Sequence, residues 1–193
     1  MFMGFDISIV ISSYNNRGNK VVKTFEQLCK SDLNDFTKVE LIIIDDGSPS
    51  PISEVLPQVK NVPDKIDWRL ITQLNSGIGA TRNRGYREAQ AGIVIFFDDD
   101  ILVEKDTLSK LFHAQREGPG PVQFGNYPFI SHSSESLHQF ARQLYGYDTM
   151  TQNISFQKVN AISSGVLSVN KDELKGMTNF YKDDLTIPAA EEY

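Results

Sequence analysis

The run Ile93-Val94-Ile95-Phe96-Phe97-Asp98-Asp99-Asp100 passes from five apolar residues to three acids with nothing between them. A short apolar run of this kind reads as a buried strand, so the carboxylates are delivered at its C-terminal end. In open parallel α/β sheets that rim is where ligands bind. Three adjacent negative charges repel one another, and a buried strand end solvates them poorly. A divalent cation relieves the repulsion and can in turn hold a diphosphate. The competing reading is a solvated acidic turn.

Working outward from this run, strand and helix signals alternate. Ile7 to Ser12 is β-rich and ends in Ser13-Tyr14-Asn15-Asn16, and Val21, Val22, Phe25, Leu28 and Cys29 follow at helical spacing. Val39 to Ile44 reads as a second buried strand, closed by Asp45-Asp46-Gly47-Ser48, with a short helix expected from Ser53 to about Val59. Trp68 to Leu74 reads as a third strand, Gly79 to Ala89 as a helix, and Thr107 to about Arg116 as a helix after the fourth strand. This order argues for a parallel sheet with helices on both faces. Beyond Gly118-Pro119-Gly120-Pro121 the pattern loosens. A strand is expected over Val122 to Phe129, a helix over Leu137 to Tyr147, a strand over Val166 to Val169 and a helical turn over Asp172 to Lys175. The expectation is one domain over 1–193, with a nucleotide-type half at 1–117 and an irregular half at 118–193.

A chain of 193 residues with 40% hydrophobic content can build one such domain. Its net charge of −6 argues against nucleic acid or an anionic membrane as electrostatic partner. The single cysteine, Cys29, excludes an intrachain disulfide framework and reads as a core residue in a reducing compartment. The sequence reads as carrying no signal peptide, an expectation that rests on the short, non-basic stretch Met1 to Asp6, and no apolar run in it reaches membrane-spanning length. The expected location is cytoplasmic, with work at a membrane surface left open.

In a parallel sheet all four strand ends open on one rim. Tyr14 there can stack on a planar base, and a carboxylate can accept from a base N–H or a ribose hydroxyl. Asn75 to Gly85 adds glycines before a helix whose N-terminus attracts anions, and Arg82 near its start can clamp a diphosphate together with a metal. Arg84 and Arg87 read as solvated helix charges. There is no P-loop, no G-x-G-x-x-G after the first strand and no G-x-S-x-G elbow. His113, His132 and His138 lack metal-ligand spacing and read as packing or surface residues.

These motifs form an ordered set. SIVISSYNN at 8–16, ELIIIDDGSPS at 40–50, NSGIGATRNRG at 75–85 and IVIFFDDDILVEKDTL at 93–108, followed by ISSGVLSVNKDEL at 162–174 and AAEEY at 189–193, resemble the family 2 inverting glycosyltransferases. The resemblance implies an α/β GT-A fold, with a Rossmann-like, mostly parallel sheet, helices on both faces and an irregular acceptor-side half. It implies a nucleotide-sugar donor, most often a UDP-sugar, a Mn or Mg ion, and a glycan, lipid-linked or other hydroxyl acceptor in glycan or polysaccharide synthesis.

Residue by residue, Ser12 and Tyr14 would hold and stack the base, Asp46 would bond it and Asp45 would support that loop. Arg82 would reach the base or the diphosphate. Asp98 and Asp100 fill the outer positions of a D-x-D motif, with Asp100 the direct metal ligand and Asp98 and Asp99 near the ribose and sugar. Gly165 would line the acceptor pocket. Glu192 falls at the general base, with Glu191 beside it. Ser12 stands where proline is commoner, Thr81 where alanine is usual and Val166 where asparagine is frequent. Because Tyr193 follows the base motif directly, a catalytic domain cut short is expected. A non-catalytic nucleotide-sugar-binding fragment and a sugar-phosphate nucleotidyltransferase are the alternatives. The second lacks the Gly-rich, basic stretch it would need after the first strand.

Overall fold

The computed structural model describes residues 4–15, 19–101, 103–117, 122–123 and 166–174. Two compact units divide the chain. The first comprises Met1–Gln123 with Ser163–Tyr193, and the second, Phe124–Ile162, lies outside the described residues, as does the helix expected over 137–147.

In the first unit, the described strands are β1 (Ile7–Ser13), β2 (Val39–Asp45), β3 (Ile66–Thr72), β4 (Ile93–Asp98), β5 (Val122–Gln123) and β6 (Val166–Asn170). They form one sheet in the order β3-β2-β1-β4-β6-β5. The first four pair in parallel, whereas β6 runs antiparallel to both β4 and β5. With the helices α1 (Lys20–Cys29), α2 (Ile78–Glu88) and α3 (Thr107–Glu117), this is the expected α/β, mostly parallel architecture. None of the described helices is long and apolar enough to cross a membrane.

Strands β1 and β2 are buried on both faces, and the polar side chains within them, Ser8 and Glu40, meet in a hydrogen bond from Ser8 Oγ to Glu40 Oε2. On one face Val10, Ile42, Ile44, Val94 and Phe96 pack with Tyr86 and Ala89 of the α2 segment and with Leu167 and Val169 of β6. On the other, Leu41 is in register with Trp68, whose ring meets Phe25 of α1 edge-on at 5.3 Å. Phe25, Phe96 and Phe97 are essentially inaccessible to water, and each such side chain stabilises the fold by roughly 1.5–3 kcal/mol. Helix α2 can approach the sheet this closely because of Gly85. A Cβ there would collide with Val10 Cγ1 of β1.

The structure changes several expected boundaries. Strand β3 spans Ile66–Thr72, two residues earlier than read, because this edge strand buries only Ile66 and the exposed Asp67 beside it breaks the apolar run at its start. The helix expected near 53–59 is instead a pair of 3₁₀ turns, Ile52–Glu54 and Leu56–Gln58. Pro57 lacks the N–H that a continuous α-helix would need there. Only Val122–Gln123 of the strand expected to reach Phe129 lies within the described residues.

Candidate functional site

Parallel register brings the four strand ends to one rim: Ser13 lies beside Asp45, Asp45 beside Thr72, and Ser12 beside Asp98. Strand β2 leaves β1 on one side and β4 lies on the other. The order therefore reverses between β1 and β4, the place where open α/β sheets form their binding crevice.

The three aspartates at this reversal are held from three different elements. Asp98, at the end of β4, forms an ion pair with the buried guanidinium of Arg82 from α2. Asp99 accepts a short hydrogen bond from Ser13 Oγ of β1. Its own backbone carbonyl accepts from Thr24 Oγ1 of α1 at 2.8 Å, and that hydroxyl also lies 3.2 Å from the Ile101 carbonyl. Asp100 is half exposed, and its Oδ2 sits 3.0 Å from Lys20 Nζ at the start of α1. Burial pushes the Asp99 carboxyl up to about 6. The Ser13 hydrogen bond opposes this, Asp100 adds repulsion, Lys20 offsets part of it, and Asp98 adds a little more.

The loop after β2 is fastened by its own acids. Asp45 is buried and accepts from the backbone N–H groups of Ser48 at 2.9 Å and Ile52 at 3.1 Å. Asp46 Oδ1 accepts from Ser76 N at 3.0 Å and Gln73 Nε2 at 2.7 Å, and Oδ2 accepts from Gly77 N at 2.9 Å. Asp46 thus ties the β2 loop to the entry of α2. Gly47 makes the contact possible: its φ is +76°, and a Cβ there would lie 2.8 Å from Asn75 N. Gln73 is the hub, since its Oε1 also accepts from Arg84 at 3.2 Å. Arg84 is therefore engaged with the loop rather than merely solvated.

Ser12 is buried beside Asp98, and its Oγ has no hydrogen-bond partner among the described residues. Tyr14 stands out at the rim, half exposed. Gly165, Glu191 and Glu192 lie outside the described residues, as do His132 and His138. His113 sits at the surface, 3.0 Å from Asp35. Burial raises the Cys29 thiol to about 11, which makes it unreactive at neutral pH.

Nothing local in the sequence singles out Lys20, Gln73, Ser13 or Thr24 for these contacts. Each meets its partner only through long-range folding, and a lysine at a helix start or a glutamine after a strand carries no local signal.

Among the described residues no group of three or more His, Cys, Asp or Glu side chains could cage a metal. A Mg²⁺ or Mn²⁺ ion that takes one or two carboxylates and completes its shell with phosphate oxygens and water needs no such cage. The hard-oxygen donors of Asp100 and Asp98 suit that kind of site.

The fold defines an α/β scaffold of the GT-A type. A mannosyltransferase from Pyrobaculum calidifontis, solved with GDP-Man and Mn²⁺, superposes with a TM-score of 0.66 at 14% identity, over 93% of this chain and 48% of that one. The family is fixed by sequence: the chain belongs to glycosyl transferase family 2, whose model matches residues 8–174.

Among its curated relatives is the glycosyltransferase GlyG of Streptococcus pneumoniae, 25% identical over 154 residues that make up 79% of this chain and 48% of the relative. Another is the cholesterol galactosyltransferase of Borreliella burgdorferi, 31% identical over 110 residues, 56% of this chain and 29% of the relative. The chain spans from about a fifth to somewhat over half of the length of such relatives.

Proposed function

We propose that this chain forms the donor-binding part of a metal-dependent, inverting glycosyltransferase that moves a sugar from a UDP-sugar to an acceptor hydroxyl in glycan or polysaccharide synthesis. The observation that carries this reading is the convergence at the β1/β4 reversal. There an Arg82–Asp98 pair, a buried Ser12 hydroxyl without a partner among the described residues and a half-exposed Asp100 lie on one rim.

In this reading the exposed Tyr14 ring stacks on the base, and Ser12 Oγ gains a partner from the bound donor. Arg82 supplies positive charge opposite the diphosphate. Asp100, with Asp98 beside it, holds a Mn or Mg ion, which when bound neutralises charge on the departing diphosphate. Glu192 takes the proton from the acceptor hydroxyl on the face opposite the leaving group, with Glu191 supporting it, and Gly165 lines the acceptor side. A single displacement of this kind inverts the anomeric centre.

Asp46 is a weaker candidate for reading the base than its motif suggests. Its carboxylate already accepts from Gln73, Ser76 and Gly77, which leaves little acceptor capacity.

A thermal-shift screen of UDP-, GDP-, ADP- and CDP-sugars, each with Mn²⁺ or with EDTA, tests the donor assignment. A UDP-sugar at a hundredfold over its dissociation constant should add about 2.7 kcal/mol of stability, and only with the metal. Because the Pyrobaculum mannosyltransferase was solved with GDP-Man, a shift confined to GDP-sugars would replace uracil with guanine. Equal shifts in EDTA would remove the metal from the proposal.

A further inference from the structure

Asp98, Asp99 and Asp100 carry three carboxylates, but their partners differ in how readily they can leave. Arg82 is buried against Asp98, and Ser13 is buried against Asp99. Lys20 is different. Its side chain is 45% exposed, that of Asp100 is 49% exposed, and the two meet through the 3.0 Å approach of Nζ to Oδ2. A flexible four-carbon stem and a strongly hydrated ammonium make such a contact cheap to break.

A divalent ion bound to a carboxylate oxygen sits about 2.1 Å from it. An ammonium hydrogen-bonded to the same oxygen would then lie close to a doubly charged ion, with strong repulsion between them. The two cations therefore compete for Asp100.

We propose that Lys20 is a tethered counter-cation of Asp100, occupying that carboxylate in the metal-free protein and yielding it when a divalent ion arrives. The inference rests on the reading of Asp100 as a metal ligand. Lys20 cannot drift far after release. Thr24, one helical turn further along α1, is bonded to the carbonyls of Asp99 and Ile101 and keeps the start of the helix against the acidic loop.

The acidic rim thereby keeps a local positive charge when no metal is bound, so its carboxylates do not repel one another unchecked. Metal capture by the nucleotide-free protein is also weakened, because the ion must displace Lys20 with only one or two protein ligands to hold it. Once a diphosphate contributes further oxygens, the competition is easily won. Lys20 thus sets metal affinity through Asp100 and touches neither base nor sugar.

Exposed ion pairs of this kind contribute about 0.2–1 kcal/mol, so removing Lys20 should tighten metal binding by about 1.4- to fivefold. The test is a titration of the whole chain with Mn²⁺ alone at low ionic strength, with free Mn²⁺ read by electron paramagnetic resonance. Lys20→Gln, Lys20→Arg and Lys38→Gln are compared with the unaltered protein. Lys38 pairs with Asp67 and stands just before β2, at the opposite end of the sheet, so its substitution makes the same change in net charge away from the rim.

Lys20→Gln should bind Mn²⁺ about 1.4- to fivefold more tightly, while Lys20→Arg and Lys38→Gln should match the unaltered protein. The gain should shrink in 0.5 M KCl, where the Debye length falls to about 4 Å. Equal or weaker binding by Lys20→Gln would overturn the proposal, and so would an equal gain in Lys38→Gln. If neither the unaltered protein nor Lys20→Gln binds Mn²⁺ even after UDP is added, it is the metal reading of Asp100 that fails.

Discussion

Asp98, Asp99 and Asp100 are neighbours in sequence yet sit in different surroundings: an arginine pair, a part-buried hydrogen bond from Ser13, and open solvent beside Lys20. For Asp99, burial raises the carboxyl from its ordinary 3.8 to about 6. Between those values the unfolded chain ionises while the folded chain still holds its proton. The contribution to stability is therefore complete below about pH 4 and is lost as pH rises through about 6. Asp99→Asn keeps an acceptor for Ser13 but cannot ionise. In EDTA it should gain on the unaltered protein as pH rises from 4 to 7, by at most about 3 kcal/mol. Urea unfolding of both proteins across that range checks the sign, and a difference that does not change with pH would contradict it. At this scale the sequence displays which side chains are acidic and where a strand hands them to solvent. It does not display Lys20, which stands eighty positions from Asp100.

The segment that joins β3 to α2 shows how an element is positioned by another element's side chain. The Gly77 and Ser76 N–H groups at the helix entry find their acceptor in Asp46 of the β2 loop. Asp46→Ala would leave these groups and Gln73 without that acceptor. It should cost about 1–3 kcal/mol of stability and weaken UDP binding by loosening the helix that carries Arg82. Calorimetry and thermal unfolding measure the two effects, and unchanged stability would show the ties to be dispensable. Gly85 offers a test of the packing where α2 meets the sheet. A methyl group added there would run into Val10 Cγ1, so Gly85→Ala should destabilise by about 1–3 kcal/mol despite alanine's better helix propensity. A gain in melting temperature would mean that the helix can shift away. Helix α1 is legible in the sequence because Val21, Val22, Phe25 and Leu28 repeat at helical spacing. The 3₁₀ pair is less so, since Pro57 interrupts a segment whose apolar residues alone suggest a continuous helix.

Across the whole molecule, alternation of strands and helices is enough to indicate a parallel sheet, and the four strand ends do share one rim. What alternation cannot indicate is that β6 enters the same sheet antiparallel, between β4 and β5. A short strand such as Val166–Asn170 reads the same in either direction. In sugar transfer, Glu192→Gln should lower the rate by about 10²–10⁴-fold while leaving UDP-sugar affinity unchanged, and Glu191→Gln should do much less. Transfer unaffected by the first substitution would move the base elsewhere. Everything proposed for the site turns on Asp100 linking a metal to a nucleotide diphosphate at the β1/β4 reversal. The most direct measurement is calorimetric titration of UDP in Mn²⁺ and in EDTA, on the unaltered chain and on Asp100→Ala. Binding that requires both Mn²⁺ and Asp100 is the predicted result, and UDP affinity in Asp100→Ala equal to that of the unaltered chain in Mn²⁺ would contradict it.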